Sequence, residues 1–128
     1  MKPITMVLSA LALAATAAPV FAQGAMMPPA VHVMSGMFTD AKGMTLYTYD
    51  KDTVANMSAC TAQCLKNWPV LAATAADKDM GDWKVISLAD GSKAWSYKGK
   101  PLYYFAQDKA AGDKMGDDRG KMWHVAKP

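Results

Sequence analysis

Two histidine–methionine pairs are the first residues of this chain whose types and spacing suggest chemistry. His32 and Met34 lie two positions apart near the start, and Met122 and His124 lie two positions apart at the end. Residues two apart in a strand point to the same face, and imidazole with thioether ligands suits copper in an oxidising compartment. If the first and last strands pair, these four side chains converge. The sequence therefore offers a copper or similar soft-metal site as a hypothesis; the alternative is that the methionines only fill the core.

The two cysteines are the second candidate for chemistry. Cys60 and Cys64 are four positions apart, which is neither the C-x-x-C redox spacing nor a four-ligand zinc pattern. They lie in a predicted helix over residues 58–67, which has Ser58 as its N-cap and ends before Pro69. Positions i and i+4 of a regular helix are about 5–6 Å apart at Cβ, whereas a disulfide needs about 3.5–4.5 Å. We predict a structural disulfide on a distorted turn; a redox-active pair or metal thiolates are the alternatives.

Catalytic motifs are missing from the sequence. It contains no G-x-S-x-G nucleophile turn, no glycine-rich phosphate loop and no H-E-x-x-H zinc motif. A polar segment near the end is rich in aspartate but lacks the ligand spacing of a calcium loop, so we interpret it as solvated; its aspartates are Asp108, Asp113, Asp117 and Asp118. The sequence therefore nominates no catalytic residue, and we expect a non-enzymatic protein.

Charge and composition narrow the class of protein further. The formal net charge is only +3, and the basic residues are scattered, unlike the clustered stripe that binds a phosphate backbone. We therefore expect no nucleic-acid partner. All eleven acidic residues are Asp, a residue of turns and caps, and Glu is absent. This composition favours strands and turns over helices.

The first 22 residues have the pattern of a cleavable export signal. Lys2 supplies the positive start, residues 4–18 are uncharged, and Pro19 precedes the small-x-small site Val20-Phe21-Ala22. Cleavage is expected near Ala22/Gln23, and Gln23 offers no thiol for lipid attachment. No later stretch approaches the roughly 20 apolar residues of a transmembrane helix. We therefore expect a periplasmic or secreted protein with no transmembrane segment in the mature chain.

An internal duplication sets the organisation of the chain. Residues 43–52 and 99–108 both follow the pattern G-x-x-L-Y-x-[YF]-x-x-D, and Trp68-Pro69-Val70 matches Trp123-His124-Val125. The shared positions are Gly43, Leu46, Tyr47, Tyr49, Asp52, Gly99, Leu102, Tyr103, Phe105 and Asp108. Two copies are too few for a solenoid. We therefore predict a flexible arm over 23–30 and one domain over 31–128, made of repeats at about 31–75 and 83–128.

The motif residues have structural roles in this interpretation. Each glycine supplies a turn with positive φ, and each aspartate accepts backbone N–H bonds where the strand ends. The alternating aromatic residues form the core, the alternative being an aromatic platform for a ligand.

Hairpins are the expected elements. Residues 31–38 and 44–50 form the strands of the first hairpin, and residues 83–88 lead into the Asp90-Gly91 turn of the second. We predict a mainly β fold, a single small domain of two tandem pseudo-repeats arranged as a hairpin-based sheet or sandwich, with one short helix near residues 58–67.

Three segments together resemble a known family: the repeated L-Y-x-[YF]-x-x-D stretches, the C-x-x-x-C-x-x-x-W-P stretch and the W-H-V-A-K-P ending. The chain is similar over about residues 36–128 to the bacterial "secreted repeat" proteins, often labelled predicted lipoproteins with a Y-x-[FWY]-x-x-D motif. The resemblance implies an envelope location and tandem repeats without an established activity. We expect a small exported binding or structural module with unknown partners; a periplasmic copper-binding protein and a thiol-redox protein are the alternatives.

Overall fold

The computed structural model describes residues 27–128, so the predicted signal peptide and residues 23–26 of the predicted arm lie outside it. Those residues form three small antiparallel sheets, ordered β1–β2, β3–β7 and β4–β5–β6. The elements are β1 (Val31–Met34), β2 (Met37–Asp40), β3 (Tyr47–Tyr49), α1 (Ala62–Asn67), β4 (Trp83–Ser87), β5 (Lys93–Tyr97), β6 (Lys100–Pro101), a 3₁₀ turn (Arg119–Lys121) and β7 (Trp123–Val125). The prediction of a mainly β fold with one short helix is confirmed.

The predicted strand over 31–38 is instead a hairpin. Ser35 and Gly36 have φ angles of 51° and 75°, and two successive residues with positive φ make the tight turn that suits antiparallel strands. The chain reverses there, so Val31 pairs with Asp40 and Met34 with Met37. The first strand, β1, therefore pairs with β2, the strand that follows it directly in the sequence.

Residues 27–30 are not part of a flexible arm. Pro28 is fully buried, and Met27 packs against the core around Phe38 and Trp83. The carbonyl of Pro28 accepts a hydrogen bond from the Val31 amide at 2.9 Å, which closes a turn into β1. These residues therefore belong to the folded domain.

The helix begins later than the sequence suggested. It starts at Ala62 with Thr61 as its N-cap, because Ser58 has other partners. The Ser58 hydroxyl lies 2.7 Å from the hydroxyl of Tyr103 and accepts the Cys60 amide at 3.2 Å. Ser58 thus ties the segment before the helix to the second repeat instead of capping the helix.

Isolated bridges join the three sheets into one body. Thr39 pairs with Thr45, linking the first hairpin to the strand that follows it, and Ala72 pairs with Ala94 on β5. Tyr103 bridges to both Tyr47 and Val70. The hydrophobic interior includes one cluster with Leu46 and Leu102 and another with Tyr47 and Tyr103, and these four residues are each 0 % exposed.

The two repeats are related by an approximate two-fold axis near Tyr47 and Tyr103. The Tyr47 amide donates to the Tyr103 carbonyl at 2.8 Å, and the Tyr103 amide donates back to the Tyr47 carbonyl at 2.9 Å. Neighbouring bonds are matched in the same way. The Ala126 amide donates to the Leu46 carbonyl at 2.8 Å, and the Leu71 amide donates to the Leu102 carbonyl at 2.8 Å. The strands after each repeat glycine thus occupy equivalent positions.

Candidate functional site

The Tyr and Asp of the repeat motif bond across the two-fold axis. The Tyr47 hydroxyl donates to Asp108 Oδ2 at 2.6 Å, and the Tyr103 hydroxyl donates to Asp52 Oδ2 at 2.7 Å. Each bond joins the phenol of one repeat to the carboxylate of the other, and all four residues are buried. Charge-assisted bonds of this length are among the stronger hydrogen bonds in proteins. The motif therefore holds the two repeats together.

The second oxygen of each aspartate fixes a loop in its own repeat. Asp52 Oδ1 accepts the Ala59 amide at 2.5 Å, and Asp108 Oδ1 accepts the Met115 amide at 3.0 Å. Backbone N–H bonds at Asp52 and Asp108 were expected from the sequence, whereas the cross-repeat phenol bonds were not. The sequence did contain a signal for these phenol bonds, because a tyrosine and an aspartate five positions after it recur in both copies of the motif.

Burial changes the acid–base behaviour of this network. Desolvation raises the pKa of Tyr47 and of Tyr103 well above the ordinary phenol value, and the neighbouring carboxylates add to the effect. Desolvation also raises the pKa of Asp52, against the opposing hydrogen bonds from Ala59 and Tyr103. Both tyrosines therefore stay protonated at neutral pH.

Four aromatic rings stack beside these pairs. Trp68 and Trp123 occupy equivalent positions of the two repeats, and their rings are 3.7 Å apart with only 1° between the planes. Tyr49 stacks on Trp123 at 4.1 Å and Phe105 stacks on Trp68 at 4.4 Å. The Arg119 guanidinium lies 4.9 Å from the centre of the Phe105 ring, a cation–π distance. The stack is thus continuous and two-fold related.

A small cavity of about 230 Å³ reaches the edges of this stack. Trp68, Trp123 and Phe105 form its aromatic side, and Arg119 and Gln107 add polar groups. The cavity gives small molecules access to the indole edges, although Trp68 and Trp123 are only 7 % and 5 % exposed.

The predicted disulfide between Cys60 and Cys64 is confirmed. Cys60 precedes α1 and Cys64 lies within it, with the two Cα atoms 5.2 Å apart. The chain therefore bends between the cysteines before the helix begins, as the geometric argument required.

A larger cleft of about 370 Å³ lies beside the disulfide. One wall is the segment from Ser58 to Lys66, and the other is the turn from Leu88 to Asp90. Leu65 and Leu88 supply apolar surface, while the charged side chains come from Lys66 and Asp90. Known small-molecule sites combine this size, apolar walls and a few polar groups.

The proposed metal ligands lie on strands that do not pair with each other. His32 and Met34 are exposed on β1, which pairs with β2. His124 is on β7, which pairs with β3, and its Nε2 lies 2.7 Å from Asp50 Oδ2. The pairing of the first and last strands, on which the four-ligand site depended, is therefore wrong.

Copper binding itself stays a prediction, checked by metal analysis of protein purified from the periplasm. Within residues 27–128, no three His, Cys, Asp or Glu side chains form a group that could hold a metal ion.

Comparisons with known proteins agree with the internal duplication. A family model described as a secreted repeat of unknown function matches twice, at residues 34–72 and 84–127, which together cover more than half of the chain. Neither curated proteins nor solved structures gave a match to this chain. In residues 27–128 the structure has no helix long and apolar enough to cross a membrane. On the strength of the two matches and the two equivalent halves, the chain belongs to the family of secreted repeats of unknown function.

Proposed function

We propose that this protein is a small, non-enzymatic binding module of the bacterial envelope, with its ligand site in the cleft beside the Cys60–Cys64 disulfide. Membership of a secreted-repeat family supports export, and the signal pattern of residues 1–22 supports release into the periplasm or medium after cleavage near Ala22/Gln23. The observation that carries the binding proposal is the cleft of about 370 Å³.

The construction of the cleft supports a binding role. Its two walls come from segments far apart in the sequence, so folding alone brings them together. The disulfide pins the turn that precedes α1, so the wall around Cys60 is held in place before a ligand arrives. A preformed site binds without the entropic cost of ordering its own walls.

The chemistry of the walls indicates the class of ligand. Leu65, Leu88 and Ala62 present apolar surface, while Lys66 and Asp90 place one positive and one negative group on the lining. A small amphipathic molecule with an apolar body and a charged or zwitterionic head fits this combination.

Fragment screening by NMR tests the proposal. A library of small acidic, basic and zwitterionic aromatic fragments is added to the ¹⁵N-labelled mature protein. Fragments that bind are expected to shift the amides of residues 58–66 and 88–90. Ala62→Trp fills the cleft from the exposed start of α1 and should abolish these shifts.

Ala76→Trp is the matched control. Ala76 is exposed and lies outside the cleft lining, so the same added ring at that position should leave fragment binding unchanged. Hits that shift residues elsewhere, or that still shift 58–66 in the Ala62→Trp protein, would contradict this location of the site.

A further inference from the structure

The two stacked indoles have the geometry of a shared site for a one-electron oxidation. Trp68 and Trp123 are parallel to within 1° at 3.7 Å. When one of two indoles in such contact loses an electron, the positive charge is shared between both rings, and this sharing makes the electron easier to remove. The contact is also enclosed, because each indole is covered by a further ring, Tyr49 or Phe105.

Each indole has a phenol next to it. The Tyr47 ring meets Trp68 edge-on at 5.4 Å, and the Tyr103 ring meets Trp123 edge-on at 5.2 Å. A tyrosine that loses an electron must also lose its hydroxyl proton. Both hydroxyls already donate to a carboxylate oxygen, of Asp108 or Asp52, at 2.6 and 2.7 Å, within the reach of direct proton transfer.

A small oxidant can reach this centre from outside. The cavity of about 230 Å³ opens onto the edges of both indoles, and Arg119 lines it. The positive charge of Arg119 favours an anionic oxidant.

We propose that the paired indoles and the two Tyr–Asp pairs form a proton-coupled redox centre that takes up one oxidising equivalent from a small one-electron oxidant, such as an inorganic radical anion or a high-potential metal complex. The oxidant removes one electron from the indole pair. Tyr47 or Tyr103 then returns one electron to the indoles and passes its hydroxyl proton to Asp108 or Asp52, which leaves a tyrosyl radical beside a neutral carboxylic acid. A one-electron reductant restores the phenol, with the proton returning from the acid.

Photochemical oxidation tests the proposal directly. The mature protein is mixed with a ruthenium tris-bipyridine photo-oxidant and a sacrificial electron acceptor, and radicals are followed by transient absorption and by electron paramagnetic resonance. The wild type is expected to give a tyrosyl radical. Because the repeats are equivalent and the charge is shared between the indoles, Tyr47→Phe and Tyr103→Phe should each slow tyrosyl formation about twofold, and the double variant should remove the buried signal.

Tyr104→Phe is the matched control. The Tyr104 hydroxyl also donates to a carboxylate, Asp40 Oδ2 at 2.9 Å, but its ring packs with the other core cluster, around Phe38 and Trp83. Its replacement should leave the tyrosyl yield unchanged. An unchanged tyrosyl yield in the Tyr47→Phe/Tyr103→Phe double variant, or a loss in Tyr104→Phe, would overturn the proposal.

Asp52→Asn and Asp108→Asn provide a second measurement that does not depend on the phenol variants folding. Asparagine keeps an oxygen acceptor for the phenol but is a much weaker base. We expect slower tyrosyl formation and a longer-lived tryptophan radical cation in both proteins, with folding checked by circular dichroism. Wild-type kinetics in the folded asparagine proteins would show that the carboxylates take no proton, and the proposal would fail.

Discussion

Asp52 and Asp108 each connect a loop of their own repeat to a tyrosine of the opposite repeat. In each carboxylate, one oxygen accepts a hydrogen bond from the backbone amide seven positions later in the chain. The other oxygen accepts a hydrogen bond from a tyrosine hydroxyl of the opposite repeat. Burial of an ionised group is costly unless its hydrogen bonds are satisfied, and these two sets of bonds satisfy it. The aspartate of the motif therefore couples the order of a loop to the contact between repeats.

Removal of one phenol hydroxyl is expected to destabilise the domain. Tyr103→Phe leaves the Asp52 carboxylate without its hydroxyl donor, and loss of a partner from a buried polar group costs about 1–3 kcal/mol. Tyr47→Phe should cost a similar amount, since Asp108 is placed equivalently. Urea unfolding measures both. Tyr97→Phe is the control, because Tyr97 is a partly buried core-side ring whose hydroxyl takes no part in the cross-repeat bonds; a loss as large in that protein would contradict the argument.

The raised pKa of Asp52 predicts a pH dependence of stability. Desolvation raises it above the ordinary 3.8, so the folded state holds this proton more tightly than the unfolded chain does. The resulting stabilisation is complete below pH 3.8 and is lost as the pH rises through the folded pKa. Unfolding free energies measured from neutral to acidic pH should therefore rise more for wild type than for Asp52→Asn. Parallel pH profiles for the two proteins would contradict this.

At the scale of elements, helix α1 depends on its surroundings. It has six residues, Ala62–Asn67, and an isolated helix of this length is unstable in water. The disulfide from Cys60 to Cys64 fixes its first turn from the N-terminal side, and Trp68 anchors its end in the aromatic stack. The helix is therefore a short wall held at both ends, which also forms one side of the cleft.

Loss of the disulfide should reduce structural order mainly around α1. Closing a loop of five residues contributes about 2 kcal/mol on the chain-entropy estimate, so Cys60→Ala/Cys64→Ala should lower the unfolding free energy by about that amount. Amide signals of residues 60–67 should broaden while those of β3 and β7 stay sharp. Chemical reduction of the wild type is the control and should reproduce both effects. Uniform broadening across the domain would show that the bond supports the whole fold instead.

Local sequence rules explain which elements could be predicted. The Asp90-Gly91 turn has a well-known signature, and the hairpin of β4 and β5 is where it indicated. The Ser35-Gly36 turn was missed because serine rarely adopts a positive φ, so the pair gives a weaker turn signal than Asp90-Gly91. That missed reversal also removes the pairing of the first and last strands on which the four-ligand histidine–methionine arrangement depended, since β1 pairs with β2 and β7 pairs with β3.

At the scale of the whole molecule, the sequence showed that the chain contains two repeats, but it did not show how the two repeats contact each other. The spacing of the motif showed two copies, and the family matches confirm them. A sequence pattern does not state that the Tyr of one copy bonds the Asp of the other, because an equally regular pattern would arise from bonds within each copy. The stacking of Trp68 on Trp123 was hidden for the same reason. Contacts across a symmetry axis require the three-dimensional arrangement.

Because each repeat forms Tyr–Asp hydrogen bonds with the other, we predict that neither repeat folds alone. A chain split between Lys78 and Asp79 separates Tyr47 from Asp108 and Tyr103 from Asp52, and it divides the paired backbone bonds between Tyr47 and Tyr103. Each fragment would expose the surface that its partner now covers, so its NMR spectrum should lack dispersion. An equimolar mixture should recover a dispersed spectrum, because the contacts between the halves are restored without a covalent link. Introducing Tyr103→Phe into the second fragment should weaken this recovery. A well-dispersed spectrum from either fragment alone would show that the repeats are independent units and that the cross-repeat bonds are dispensable for folding.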